Sequence, residues 1–168
     1  MIQTRTHKEL EDVLMEPKLK GIKEPYYVIR MGDHSITALN AGKNGSELNK
    51  TYGHFNKYLG VEIYNCLYGQ GLLLMQRNDE NGEAKEFKIV SLSLGKHVEV
   101  PSGWGHSLVN TGSSVLVTLD NSPSGSANHD YESVKRKRGF AYYIVEKKGE
   151  IAFELNSNYQ VHPQISTE

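Results

Sequence analysis

Two stretches of the chain concentrate side chains able to hold a metal ion or move a proton. The first is Gly53-His54-Phe55-Asn56, followed after a short gap by Glu62-Ile63-Tyr64-Asn65-Cys66. Strand positions two apart face the same side. His54 and Asn56 therefore point together, and Glu62, Tyr64, Cys66 and Tyr68 share one face opposite Val61, Ile63 and Leu67. Such a polar and aromatic row suits either the wall of a polar cavity or a solvated strand face. The second stretch runs from Gly95 to Asn110, where Pro101 and Gly103 make a tight turn and leave His106 at the start of a new strand. Alone, His106 reads as a structural or surface histidine. Paired in space with His54 and Glu62, it completes an imidazole/imidazole/carboxylate set. That set suits iron, manganese, nickel or zinc, with positions left open for a substrate.

The elements that must position these groups are short. Sixteen glycines fall mostly between brief apolar runs, the punctuation of a β protein. Strands are predicted over Tyr26 to Arg30, Ser35 to Leu39, Val61 to Tyr68, Leu72 to Arg77, Glu86 to Leu92, His97 to Val100, Val115 to Asp120, Tyr142 to Glu146 and Ile151 to Leu155. Asn81-Gly82 and Lys148-Gly149 mark hairpins. Asn40 to Lys50 reads as a polar loop and Asn121 to Asn128 as a Ser/Gly/Pro loop. Leu10, Val13 and Leu14 recur at helical spacing within His7 to Met15, and Pro17 would stop that helix. The expected organisation is a short extension over 1–24, a barrel or sandwich over 25–160 and a frayed polar tail over 161–168.

Bulk composition narrows the function classes. With 168 residues, 38% hydrophobic and 23% charged, the chain has enough apolar material for one globular core. A net charge of −1 gives no nucleic-acid footprint, and the run Lys135-Arg136-Lys137-Arg138 reads as a solvated surface turn. The single cysteine, Cys66, sits in an apolar strand as a small core residue and favours a reducing compartment. The polar N-terminus lacks the apolar core of a signal peptide and no window is apolar enough to span a membrane, so a cytoplasmic location is expected.

The two stretches resemble the two cupin motifs. Gly95, Pro101, Gly103, His106 and Asn110 match the second motif at every position. The first is present as His54, Glu62 and Gly69, but Asn56 stands where the family writes its second histidine, and the gap to Glu62 is one residue short. From Tyr26 to Tyr159 the chain further resembles the archaeal-type, cupin glucose-6-phosphate isomerases. The likeness is strongest at the two motifs and at His129-Asp130-Tyr131 followed by Gly139-Phe140.

The resemblance implies an all-β, single-domain cupin jelly roll holding one divalent metal at His54, Glu62 and His106. Tyr64, His129 and Tyr131 would line the sugar; without the resemblance, His129 to Tyr131 reads as a loop held by Asp130. Thr37, Thr51, Gly53 and, more weakly, Tyr27 would bind the phosphate, and Lys43 nearby could add charge. Because an amide oxygen is a poorer transition-metal ligand than imidazole, Asn56 either completes a weak metal site or only holds water or substrate. The implied activity is interconversion of glucose 6-phosphate and fructose 6-phosphate, in which a proton or a hydride moves between C1 and C2; in a proton-transfer route Glu62 is the shuttle, with His129 and Tyr131 assisting. Alternatives are an isomerase or epimerase of another sugar or sugar phosphate, and a non-catalytic sugar-phosphate-binding cupin. Cupin strand edges also imply a homodimer.

Overall fold

The computed structural model describes residues 1–123 and 128–168. Two six-stranded sheets face one another. The first has the order β1 (Ile2–Arg5), β2 (Tyr26–Met31), β3 (His34–Leu39), β12 (Leu116–Asp120), β7 (Glu62–Tyr68), β10 (His97–Val100). The second runs β13 (His129–Asp130), β6 (His54–Asn56), β11 (Gly105–Asn110), β8 (Gly71–Asn78), β9 (Ala84–Leu92), β16 (Ile165–Thr167). A smaller sheet, β15 (Glu150–Leu155), β14 (Tyr142–Lys147), β5 (Glu47–Leu48) and β4 (Lys43–Asn44), packs beside them. Neighbours such as β7 and β12, far apart in sequence, give a cupin-type jelly roll. Hydrogen bonding leaves two separate sheets rather than a closed barrel.

The central strands of the second sheet are buried on both faces, whereas β7 alternates. β8 buries Leu73, Leu74 and Met75, and β9 buries Phe87, Ile89 and Val90, building the apolar end of the space between the sheets. The inward face of β7 carries Glu62, Tyr64 and Cys66, all buried, while Val61 and Leu67 on its other face are exposed. The mixed polar face is therefore a cavity wall. Cys66 is a packed core thiol near the Tyr68 carbonyl, and burial pushes its pKa up. The turn after β7 requires Gly69: its φ is +84°, and an added Cβ would lie 2.4 Å from the Val115 carbonyl oxygen.

Four expectations are revised. The predicted His7 to Met15 helix is one α-turn, α1 (His7–Leu10), continued by a 3₁₀ turn over Glu11–Val13; it ends at Leu14, which is already extended. Leu10, Val13 and Leu14 are nonetheless fully buried, as their spacing demands. The N-terminus is not merely an extension, because β1 pairs antiparallel with β2. The tail is not frayed: β16 pairs parallel with β9, from Ile165 opposite Phe87 to Thr167 opposite Ile89. The Asn40 to Lys50 loop contains β4 and β5 and buries Asn44, Glu47 and Asn49, with the Glu47 carboxylate 2.5 Å from the Lys50 ammonium. The predicted loop at 121–128 lies partly outside the described residues. In the basic run, Lys135 pairs with Asp12 at 3.2 Å and Lys137 pairs with Glu83, so both lysines are engaged within the fold.

Candidate active site

A cavity lies between the two large sheets. The first sheet lines it with Arg5, Tyr26, Arg30, Ser35, Thr37, Glu62, Tyr64 and Asp120. The second sheet and its approach segment contribute Thr51, Gly53, His54, His106, His129 and Tyr131. Register sets the geometry. His106 on β11 lies opposite His54 on β6, and β7 carries Glu62 toward both. One donor atom from each of His54, Glu62 and His106 falls within 4.8 Å of the others. The two imidazole rings meet edge to face at 4.4 Å, and His106 Nε2 lies 3.4 Å from Glu62 Oε2. Gly53 lets the chain enter this corner: its φ is +80°, and a Cβ there would press to 3.0 Å from the Phe140 ring.

Glu62 is 1% exposed and His106 2%. A buried carboxylate must be compensated. Burial favours the protonated acid, but His106, His54 and the Asn56 amide outweigh it and hold the Glu62 carboxyl well below its usual range. Burial, with His106 and His129 beside it, drives the His54 imidazole well below its usual value, so it is neutral at pH 7. Neutral imidazole and ionised carboxylate are the forms that bind metal.

Asn56 turns its amide nitrogen, not its oxygen, to the Glu62 carboxylate, and its Oδ1 is buried without a hydrogen-bond partner among the described residues. Its Nδ2 donates to Glu62 Oε2 at 2.8 Å, and Tyr58 donates to the same oxygen at 3.3 Å. The opposite amide orientation would set two oxygens against each other. Glu62 Oε1, in contrast, is buried without a hydrogen-bond partner among the described residues, as are His54 Nε2 and both ring nitrogens of His106.

Around this cluster, the His129 ring packs on His54 at 4.2 Å, and its Nε2 lies 2.8 Å from the Ser122 hydroxyl. Tyr131 approaches His54 at 5.3 Å, and Tyr64 approaches His106 at 5.4 Å. Burial, then Glu62 and Asp120, pushes the Tyr64 phenol well above its usual value. Asp120 is itself pushed up to about 7, chiefly by burial and then by Glu62.

Two sequence expectations find no place at the cavity. Lys43 sits on β4 in the smaller sheet, paired with Glu146 at 2.7 Å. Tyr27 points away, donating its hydroxyl to Glu24 at 2.7 Å; its neighbour Tyr26 faces inward instead. Trp104 packs against the core, with the Arg77 guanidinium 6.0 Å from its ring. The cavity also receives Arg5, Arg30, Ser35 and Asp120, which the motifs do not mark. Asp120 was within reach of alternation, since Leu116, Thr118 and Asp120 share the buried face of β12.

A glucose-6-phosphate isomerase family profile matches residues 28–162. The glucose-6-phosphate isomerase of Thermococcus onnurineus is 38% identical over 127 residues, covering 75% of this chain and 64% of that protein. That of Pyrococcus furiosus is 37% identical with the same coverage of both chains. The matched region thus spans just under two thirds of those relatives' length. Among solved structures, the capsular polysaccharide assembling protein CapF of Staphylococcus aureus superposes with a TM-score of 0.49 at 18% identity, over 67% of this chain and 32% of that one. Among the described residues, no helix is long and apolar enough to cross a membrane.

Proposed function

We propose, from the premise that the chain belongs to the glucose-6-phosphate isomerase family, that it interconverts glucose 6-phosphate and fructose 6-phosphate. The observation that carries this reading is the meeting of His54, Glu62 and His106 within 4.8 Å in a cavity that also presents Thr37, Thr51 and Gly53. The cluster fits a divalent cation: His54 Nε2 and both ring nitrogens of His106 are buried without a hydrogen-bond partner among the described residues, and Glu62 Oε2 lies 3.4 Å from His106 Nε2. When bound, such an ion polarises the carbonyl and adjacent hydroxyl oxygens and offsets the negative charge that develops on them.

The chain's own groups supply the rest. The reaction moves a proton between C1 and C2, and Glu62 is the ionised carboxylate placed to carry it. Asn56 and Tyr58 hold Oε2 and fix the carboxylate plane, which leaves Oε1 to accept the proton. Tyr64 and Tyr131, both with phenols raised by burial, remain protonated at neutral pH and donate to sugar hydroxyls. His129 is anchored through Nε2 by Ser122, and its unpartnered Nδ1 handles proton traffic at the ring oxygen during opening. The hydroxyls of Thr37 and Thr51 and the backbone at Gly53 receive the phosphate. The reading includes a cytoplasmic homodimer serving glycolysis and gluconeogenesis. A second reading, another sugar-phosphate isomerase or a binding module, is favoured by one observation: an amide, Asn56, whose nitrogen is held by Glu62, stands where the family writes its second histidine.

The test is fructose 6-phosphate isomerisation by chelator-stripped protein reloaded in turn with iron, manganese, zinc and nickel. Turnover restored by at least one metal is expected. Binding of the sugar phosphate without turnover under every metal would move the protein to the second reading.

A further inference from the structure

We propose that Arg5 and Arg30 form a paired-guanidinium clamp for the substrate's phosphoryl group, and that β1 is a working part of the site although it precedes the matched residues 28–162. The proposal rests on the isomerase reading for the identity of the anion. Alternation places Gln3 and Arg5 of β1 on the cavity face, beside Tyr26, Val28 and Arg30 of β2. Arg5 lies opposite Tyr26 in the ladder. The Tyr26 hydroxyl accepts the Tyr52 backbone N–H at 3.3 Å, which ties this corner to the Thr51 to Gly53 segment. Both guanidinium groups lie near enough to Tyr131 to oppose the rise that burial imposes on its phenol.

The charges are poorly compensated. Among the described residues, Glu9 is the one carboxylate within 4.0 Å of Arg5, at 3.3 Å and partly exposed, and Glu9 is also engaged in capping α1 through Thr6. Arg30 donates to the Ser35 hydroxyl at 3.4 Å, and among the described residues it has no carboxylate within 4.0 Å. Two forked guanidinium groups beside the hydroxyls of Ser35, Thr37 and Thr51, in a cavity that holds Glu62 and Asp120 as well, match a phosphate monoester in both charge, about −1.5 to −2 at pH 7, and bidentate geometry. Lys43, on the smaller sheet, is already paired with Glu146.

The test uses R5Q, R30Q, R5K and R30K in the full chain. Isomerisation is followed with fructose 6-phosphate, and binding of fructose 6-phosphate, fructose and inorganic phosphate is followed by calorimetry. Each Gln variant is expected to raise KM for fructose 6-phosphate about tenfold or more while kcat changes by less than about threefold. Fructose affinity should stay within about twofold, and each Lys variant should recover part of the loss. Should R5Q melt early, R30Q tests the same clamp from a strand held on both sides. Isomerisation with unchanged KM in both Gln variants overturns the clamp and leaves the isomerase reading standing. No turnover in the wild type, with phosphate binding weakened in the Gln variants, upholds the clamp and removes that reading. Equal loss of fructose and fructose 6-phosphate affinity, or no phosphate binding by the wild type, also overturns the clamp.

Discussion

Replacing Asn56 with alanine removes the 2.8 Å hydrogen bond to the buried Glu62 carboxylate and leaves Oε2 with two longer contacts, Tyr58 at 3.3 Å and His106 at 3.4 Å. A hydrogen bond to a charged group contributes about 1.5–3 kcal/mol. In a domain of this size each kcal/mol moves the melting temperature by about 2–4 °C, so N56A should melt about 3–12 °C lower. Part of any loss reflects the vacated side-chain volume, and a double-mutant cycle separates it. N56A, E62A and the double variant are unfolded in urea with a chelator present, so that metal binding does not enter. The coupling energy should fall at about 1.5–3 kcal/mol at pH 7. Its pH dependence has a defined sign. The folded-state pKa of Glu62 is depressed, so its contribution is present above the ordinary carboxylate value of 4.5 and is lost as pH falls through the folded-state value. N56A should therefore lose stability to acid at higher pH than the wild type. A coupling below about 0.5 kcal/mol would show that the amide does not hold the carboxylate, and the account of its two inequivalent oxygens would fail.

Other expectations follow from the same geometry. E62A and H106A should each reduce isomerisation more than tenfold in saturating metal; a variant within about tenfold of wild type removes that residue from the mechanism. Asp120 is raised from 3.8 to about 7, so its stabilising effect is full below 3.8 and fades as pH climbs toward 7. D120N should accordingly make metal-free protein more stable at pH 8, by an amount on the order of 4 kcal/mol, and a melting curve no higher than wild type contradicts this. A divalent ion that binds only the folded cluster should add about 2.7 kcal/mol at a hundredfold excess over its Kd, readable as a melting shift that chelator reverses. K43A should leave KM for fructose 6-phosphate unchanged, since its ammonium is paired outside the cavity.

The parts of this site that were legible in sequence are those where turn chemistry and strand alternation act together. Gly69, Pro101 and Gly103 have roles that few other residues can fill, and they fix where β7 and β11 begin and end. His54, Glu62 and His106 follow from that framing. The choice between Tyr26 and Tyr27 was not legible, because Pro25-Tyr26-Tyr27-Val28 lacks the polar and apolar alternation that sets a register, and a one-residue slip exchanges the two faces. Arg5 was hidden for a related reason. Ile2 to Arg5 carries little apolar pattern, and β1 forms by pairing with β2 rather than by burying a face. The donor direction of Asn56 depends on where Glu62 Oε2 lies, which only the folded arrangement supplies. The tail holds too few apolar residues for a strand signal, and β16 exists through long-range pairing with β9.

That last pairing bears on how the molecule avoids sticking to itself. β9 is nine residues long, and its Phe87 and Ile89 lie deep in the core. β16 covers the backbone of β9 from Phe87 to Ile89, and Lys88 pairs with Glu168 alongside it. Cut away residues 161–168, and that stretch of amide and carbonyl groups becomes a free template for a strand from another molecule. The last eight residues are thus a guard against aggregation, and a shortened chain should be judged first by its solubility on storage.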